Sequence, residues 1–290
     1  MARAPAKQMK QHRDGGDIFA LRRRNRLPFV VRRALARLMP DNLWETSVGA
    51  LILLLYGLVV YVFFLATFLY AIGFAGNLVV PKSIDTGAAA PLAEALIVDV
   101  LLLGLFAAQH SVMARRSFKR WWTRLVPPIA ERSTYVLAAT MALALLLWQW
   151  RPISAPVVWR IDSDTGAQIV WTIFWLGWAV LLISTFLINH FELFGLRQVF
   201  ARLAGSEPPE QEFRTPFFYR YVRHPIYLGF LLGFWATPVM TAGHLLFAVA
   251  TTGYILVGIW FEERDLVAQF GEPYRTYRSQ VGMLLPHRRA

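Results

Sequence analysis

Apolar runs with few charges alternate along this chain with short segments that hold most of its charge. The first run covers roughly Thr46–Phe74, and a second covers about Leu92–Ala108 with Glu94 and Asp99 inside it. A third covers about Arg132–Trp150 and a fourth about Gln168–Ile188. Runs near or above about 18 residues are long enough to cross a bilayer as helices. The stretch Pro225–Phe261 is too long for one span and contains Pro238 followed by Gly243. It predicts two helices, about Ile226–Pro238 and His244–Phe261, doubling back on each other. The expected fold class is all-α: a polytopic integral membrane bundle of about six helices, the last two a short hairpin.

Composition agrees with that pattern. Hydrophobic residues make up 56% and aromatics 14%, more than an ordinary soluble domain carries. Cysteine is absent, which excludes disulfides, thiolate metal sites and a cysteine nucleophile. The net charge is +12, but its placement argues against nucleic acid as a partner. Eleven Lys and Arg precede the first run, and the second and fourth loops are also basic. The first and third loops hold only Lys82, Arg151 and Arg160. Attraction to anionic membrane lipids and orientation by positive charge explain this alternation, with both termini cytoplasmic. Residues 1–40 are expected to be a basic cytoplasmic tail, in which Val30–Met39 forms a short amphipathic helix or part of a flexible segment. Residues 41–290 form the membrane domain.

Candidate chemistry concentrates between Arg223 and Tyr277. Pro225 cannot extend a helix backwards but suits a first turn, so a helix is expected to start there. Its unpaired N–H groups would then face Arg223 and His224, a ready place for an anion. The hairpin returns Glu262 and Glu263 to the same membrane face, beside the aromatics Tyr227, Trp260, Tyr274 and Tyr277. A ligand with a carboxylate, an amine, an aromatic base and a positive centre fits, and S-adenosyl-L-methionine has all four. The plainer alternative is an interfacial anchor followed by a solvated helix end. Asp99 is a functional candidate by its depth, or else a buried carboxylate paired with a Ser, Thr or Trp N–H on a neighbouring helix.

Arg223-His224-Pro225-Ile226-Tyr227-Leu228-Gly229, then Glu262-Glu263-Arg264-Asp265-Leu266, then Phe270-Gly271 with Tyr274 and Tyr277, form a compound pattern. It resembles the isoprenylcysteine carboxyl methyltransferase and phospholipid methyltransferase families. The resemblance implies S-adenosyl-L-methionine as cofactor, held within about 190–286 by Arg223, His224, Pro225, Tyr227, Gly229, Glu262, Glu263 and Tyr274. Arg223 and the N–H groups after Pro225 would hold the methionyl carboxylate. Glu262 or Glu263 would take the amine or ribose hydroxyls, and aromatic faces the sulfonium. Gly229 and Gly233 would permit close helix approach, within the hairpin or to a neighbour.

Two further stretches, Gln109-His110-Ser111-Val112-Met113-Ala114-Arg115 and Asn189-His190-Phe191-Glu192-Leu193-Phe194-Gly195-Leu196-Arg197-Gln198, are similar to the bacterial methanethiol S-methyltransferases, a group related to the NnrU membrane proteins. With them the resemblance covers roughly Leu43–Pro286. It implies a small-molecule thiol as acceptor, methanethiol becoming dimethyl sulfide; the charge of the loops places the site at the cytoplasmic face, expected to be that of a bacterial inner membrane. An alkanethiol has a pKa no lower than about 8.5, so a base or cation must raise its thiolate fraction. His190 and Arg197 are the first candidates, with His110 as a second base and Glu192 orienting a neighbour. Phe191 and Phe194 would line the pocket. Two alternatives stay open: a lipid or prenylated acceptor, or a haem- or metal-binding protein using His110, His190, His224 and His244. No His-x3-His pair occurs, and no metal site is expected.

Overall fold

A computed structural model describes residues 47–204 and 213–286. The expected tail 1–40 and its helix Val30–Met39 lie outside the described residues, as do residues 205–212. The helices are α1 Ser47–Gly76, α2 Leu92–Ala114, α3 Arg116–Trp122, α4 Glu131–Gln149, α5 Asp164–Ile188, α6 His190–Leu193, α7 Leu196–Leu203, α8 Pro225–Trp235, α9 Ala242–Phe270 and α10 Glu272–Gln280. Two short strands, β1 Val157–Arg160 and β2 Val239–Thr241, pair antiparallel. Five helices, α1, α2, α4, α5 and α9, are long and apolar enough to cross a membrane, and α8 is a shorter apolar helix. The protein is an all-α integral membrane bundle.

Local chemistry sets several helix ends. Ser163 Oγ accepts from the Gly166 N–H at the start of α5, where Asp164 also meets the helix dipole. Thr241 Oγ1 accepts from the His244 N–H at the start of α9. Pro225 occupies the first turn of α8, as its ring geometry favours.

Three boundaries differ from those the apolar runs predict. The second helix does not end near Ala108; α2 continues to Ala114 and carries His110 and Ser111 inside it. The last helix runs past Phe261 to Phe270, so Glu262 and Glu263 sit on α9 itself. The fifth helix stops at Trp235 rather than Pro238. Eleven residues span about 16 Å, roughly half of a hydrocarbon core. Backbone groups released at that depth need partners. His244 Nε2 donates to Phe234 O at 2.9 Å, Ile161 N donates to Pro238 O at 2.9 Å, and Trp159 Nε1 donates to Thr237 O at 3.0 Å. The paired strands complete this plug.

Glycine fixes how α8 is seated. A Cβ on Gly177 of α5 would lie 2.8 Å from Gly229 O, and one on Gly229 would lie 2.6 Å from Gly177 O. Backbone therefore touches backbone between α5 and α8, the small-residue packing that membrane helices use. The neighbour that Gly229 serves is α5, not its hairpin partner α9.

The end of the bundle opposite the candidate site is closed by an aromatic core. Phe74, Trp150 and Phe247 meet edge to face at 5.8–6.2 Å, a favourable arrangement for aromatic quadrupoles. Trp150 Nε1 donates to Ile84 O, Thr241 Oγ1 donates to Asp85, and Gly243 N donates to Ile153 O. Asp99 is fully buried near this end. Its partner is not the expected Ser, Thr or Trp side chain: Oδ1 accepts from the Arg151 backbone N–H at 2.8 Å. Lys82 Nζ donates to Trp148 O. Asp99, Arg151 and Lys82 thus fasten the end of α4 to α2 and the first loop. Burial, with Arg151 nearby, lowers the Lys82 pKa.

Candidate active site

At the other end of the bundle, Glu263 of α9 gathers three basic side chains. Its Oε1 accepts from Arg223 Nε at 2.7 Å and lies 3.2 Å from His224 Nε2, while Oε2 meets Arg278 Nε at 3.2 Å. Arg223 Nη1 also donates to Arg278 O and Val281 O. Backbone joins in, with Arg223 N donating to Gly282 O at 2.9 Å and His224 N to Met283 O at 3.1 Å. The segment after α10 is thereby strapped along Val222–His224. This arrangement alters the expectation for Arg223. Its guanidinium is directed into Glu263 and the strap, because paired charge is what makes its burial tolerable.

Glu262 is placed differently. Its side chain is 44% exposed, with Oε2 3.8 Å from His224 Nδ1, and the Tyr227 hydroxyl lies beside it. The first turn of α8 has no side-chain cap, so its N–H groups still call for acceptors. Tyr274 is buried, and its hydroxyl has no hydrogen-bond partner among the described residues. Phe213 packs on Tyr274, Tyr277 and Phe270 at ring distances of 5.4–5.8 Å. Burial raises the Tyr274 phenol, and neighbouring Glu263 adds to the shift. Burial pushes Tyr277 up to about 12, and its hydroxyl donates to Tyr219 O at 2.6 Å. Both phenols therefore stay protonated donors at neutral pH. A helix end short of acceptors, a half-exposed carboxylate and an orphaned buried hydroxyl fit a ligand bearing a carboxylate, an amine and ribose hydroxyls.

His190 and Glu192 lie on α6, the short turn that follows α5, and Arg197 lies at the start of α7. Gly195 takes φ +83 there, and a Cβ would lie 2.8 Å from Ser133 Oγ. Only glycine satisfies both conditions. Arg197 Nη1 donates to Glu192 Oε2 at 3.0 Å, and Asn189 Nδ2 donates to the same oxygen at 2.5 Å. His190 is buried, with Nε2 2.8 Å from Tyr61 Oη and Nδ1 2.8 Å from Thr185 Oγ1. Burial lowers its pKa, so it is neutral at pH 7.

His110 stands on α2, 2.8 Å through Nε2 from Tyr135 Oη. Arg132 lies 5.1 Å over the Tyr135 ring and donates from Nε to Leu193 O, linking α4 to the His190 segment. Phe194 meets both Tyr61, at 5.8 Å, and His190, at 4.8 Å, and packs against the cluster containing Tyr135. Phe194 thus bridges the His190 turn and the cluster that holds Tyr135, the partner of His110. His244 stands apart, at the other end of the bundle. Among the described residues, no group of three His, Asp or Glu side chains is placed to hold a metal ion.

The sequence expectations did not include Tyr61, Tyr135, Tyr254, Arg132 or Arg278. Each tyrosine lies within an apolar run, where its body packs like any aromatic; only the hydroxyl tip was a signal.

The NnrU protein family model matches residues 99–278. Methanethiol S-methyltransferase from Mycobacterium tuberculosis is 58% identical, aligning 80% of this chain with 95% of that protein. The enzyme of that name from Crocosphaera subtropica is 55% identical, over 80% of this chain and 91% of its own length. A nurim homolog from Drosophila pseudoobscura pseudoobscura is 33% identical over 60% of this chain and 71% of its own. No solved structure matches. Identity of this extent, with the family model covering residues 99–278, makes the chain a member of the methanethiol S-methyltransferases within the NnrU family.

Proposed function

We propose that the protein transfers the methyl group of S-adenosylmethionine to methanethiol, forming dimethyl sulfide. The observation that carries this proposal is the 58% identity with an enzyme of that name over 80% of the chain. The geometry supports it with a place for the donor. The first N–H groups of α8 would take the methionyl carboxylate, with the helix dipole adding to the attraction. Glu262 and Tyr227 would hold the amine, and Tyr274 a ribose hydroxyl. Arg223 and Glu263 would act as the frame of this site, keeping the strap and the start of α8 in register. The donor supplies an activated methyl through its sulfonium. What the protein contributes is alignment, a dry pocket and removal of the thiol proton. The basic loops at this end would place the site at the cytoplasmic face of a bacterial inner membrane.

The test is to give the purified protein S-adenosylmethionine and methanethiol and assay headspace dimethyl sulfide together with S-adenosylhomocysteine. Equimolar formation of both products is expected. S-adenosylhomocysteine without dimethyl sulfide would discard the acceptor, and a folded protein that binds no donor would discard the α8 site.

A further inference from the structure

His110 and His190 are the two candidate bases, and their hydrogen bonds give them different capacities. Thr185 Oγ1 donates its proton to Leu182 O at 2.7 Å, so it accepts from His190 Nδ1. Nε2 is then the lone-pair nitrogen of His190, and Tyr61 donates into it at 2.8 Å. Phe186 covers the ring in a parallel stack at 4.2 Å. His190 has no lone pair left to receive a substrate proton. It is a fixed wall.

His110 is arranged otherwise. Nε2 meets Tyr135 Oη, while Nδ1 is buried with no hydrogen-bond partner among the described residues. A buried ring nitrogen left without a partner is unfavourable unless a ligand supplies one. With the Nε2 proton towards Tyr135, Nδ1 is an acceptor, and the S–H of a small thiol is a donor that suits it. Phe106 stacks on the ring at 5.4 Å, and Tyr254 stands edge-on at 6.3 Å with its hydroxyl 3.2 Å from Ser111 Oγ. A Cβ on Gly258 of α9, one turn beyond Tyr254, would lie 3.9 Å from the Tyr227 hydroxyl. His110, through Tyr254, and Tyr227 therefore meet the same stretch of α9, which brings His110 towards the place assigned to the donor.

We propose that His110 is the catalytic base that removes the acceptor's S–H proton, and that Tyr135 is its positioning residue. In this role Nε2 donates its proton to Tyr135 Oη, which leaves Nδ1 bare, and the same contact holds the imidazolium once formed. The S–H proton passes to Nδ1 and the thiolate sulfur forms the new S–C bond. The donor's C–S bond breaks with its electron pair kept by the donor sulfur, and the proton leaves afterwards to water. This inference rests on the thiol methylation proposed above.

Methaneselenol provides the test, because selenols are stronger acids than thiols and ionise at neutral pH unaided. In the full-length protein, His110→Gln is expected to lower kcat for methanethiol about 100-fold, the usual contribution of a general base, and for methaneselenol by less than about threefold. Tyr135→Phe keeps the ring and should lower methanethiol kcat about tenfold, with donor KM and methaneselenol turnover close to wild type. His190→Gln, which disturbs the wall, should lower both acceptors alike. Equal loss on both acceptors in His110→Gln, or undiminished methanethiol turnover, would overturn the assignment. Wild-type protein that makes no dimethyl sulfide would instead remove the underlying reaction, and this inference with it.

Discussion

Arg223 Nε and Glu263 Oε1 meet at 2.7 Å across 40 positions of sequence. The contact joins the start of α8 to the far part of α9, and Arg223 also holds the C-terminal strap. Both side chains are close to nine-tenths buried, at 11% and 9% exposed. Removing one partner from such a pair leaves an uncompensated charge, whereas removing both does not. Glu263→Ala is therefore expected to destabilise the protein by about 3 kcal/mol, while adding Arg223→Met should recover part of the loss. Thermal unfolding in detergent measures this. A double variant that is additive would break the link between the two residues.

Glycine at two helical positions should respond oppositely to alanine. A Cβ at Gly177 would fall 2.7–2.9 Å from Leu232 and the backbone of Gly229 and Gly233, whereas at Gly253 nothing lies within 4 Å. Gly177→Ala is expected to cost about 1–3 kcal/mol by forcing α5 and α8 apart, and to lower donor affinity because α8 carries the donor site. Gly253→Ala should be neutral or stabilising by up to about 1 kcal/mol. Melting temperatures of the two variants side by side decide it.

Glu262 and Arg197 separate donor binding from turnover. Glu262→Ala should weaken donor binding about tenfold, the effect of losing one charge-assisted hydrogen bond. Arg197→Ala releases Glu192 and loosens the His190 turn, so turnover should fall while donor affinity holds. Calorimetric titration with S-adenosylhomocysteine, beside steady-state rates, makes the comparison. Lost donor affinity in Arg197→Ala would place that residue in the other subsite.

His190 gives a pH-dependent stability of defined sign. Burial depresses its folded-state pKa below the unfolded value, so between those two values the unfolded chain binds more protons. Stability is then full above about pH 6.5 and falls as pH drops through the folded pKa. His190→Gln should narrow the difference in melting temperature between about pH 7.5 and about pH 5.5. An unchanged difference would assign the acid sensitivity to other groups.

Much of this molecule was legible in its sequence, for a physical reason. Lipid offers backbone groups no partners, so a long uncharged run has few options beyond a helix. That placed α1, α4 and α5 within a few residues of their observed bounds. Pro225 announced the start of α8 through its own ring geometry, and the hairpin's return required Glu262 and Glu263 to come back near His224. Apolar pattern carries no information on where a helix stops within the membrane. α8 ends at Trp235, where Pro238 has no N–H to give the Phe234 carbonyl and His244, from the next helix, supplies one instead. Arg223 looked like a free cation until the C-terminal strap met it. His110 and His190 were equivalent as letters. Tyr135 at 25 positions' distance and Tyr61 at 129 made them different, one with an open nitrogen and one with none. Composition and local geometry are properties of each segment and can be read along the chain. The partner of a buried polar atom depends on which segments meet, and only the tertiary structure decides that.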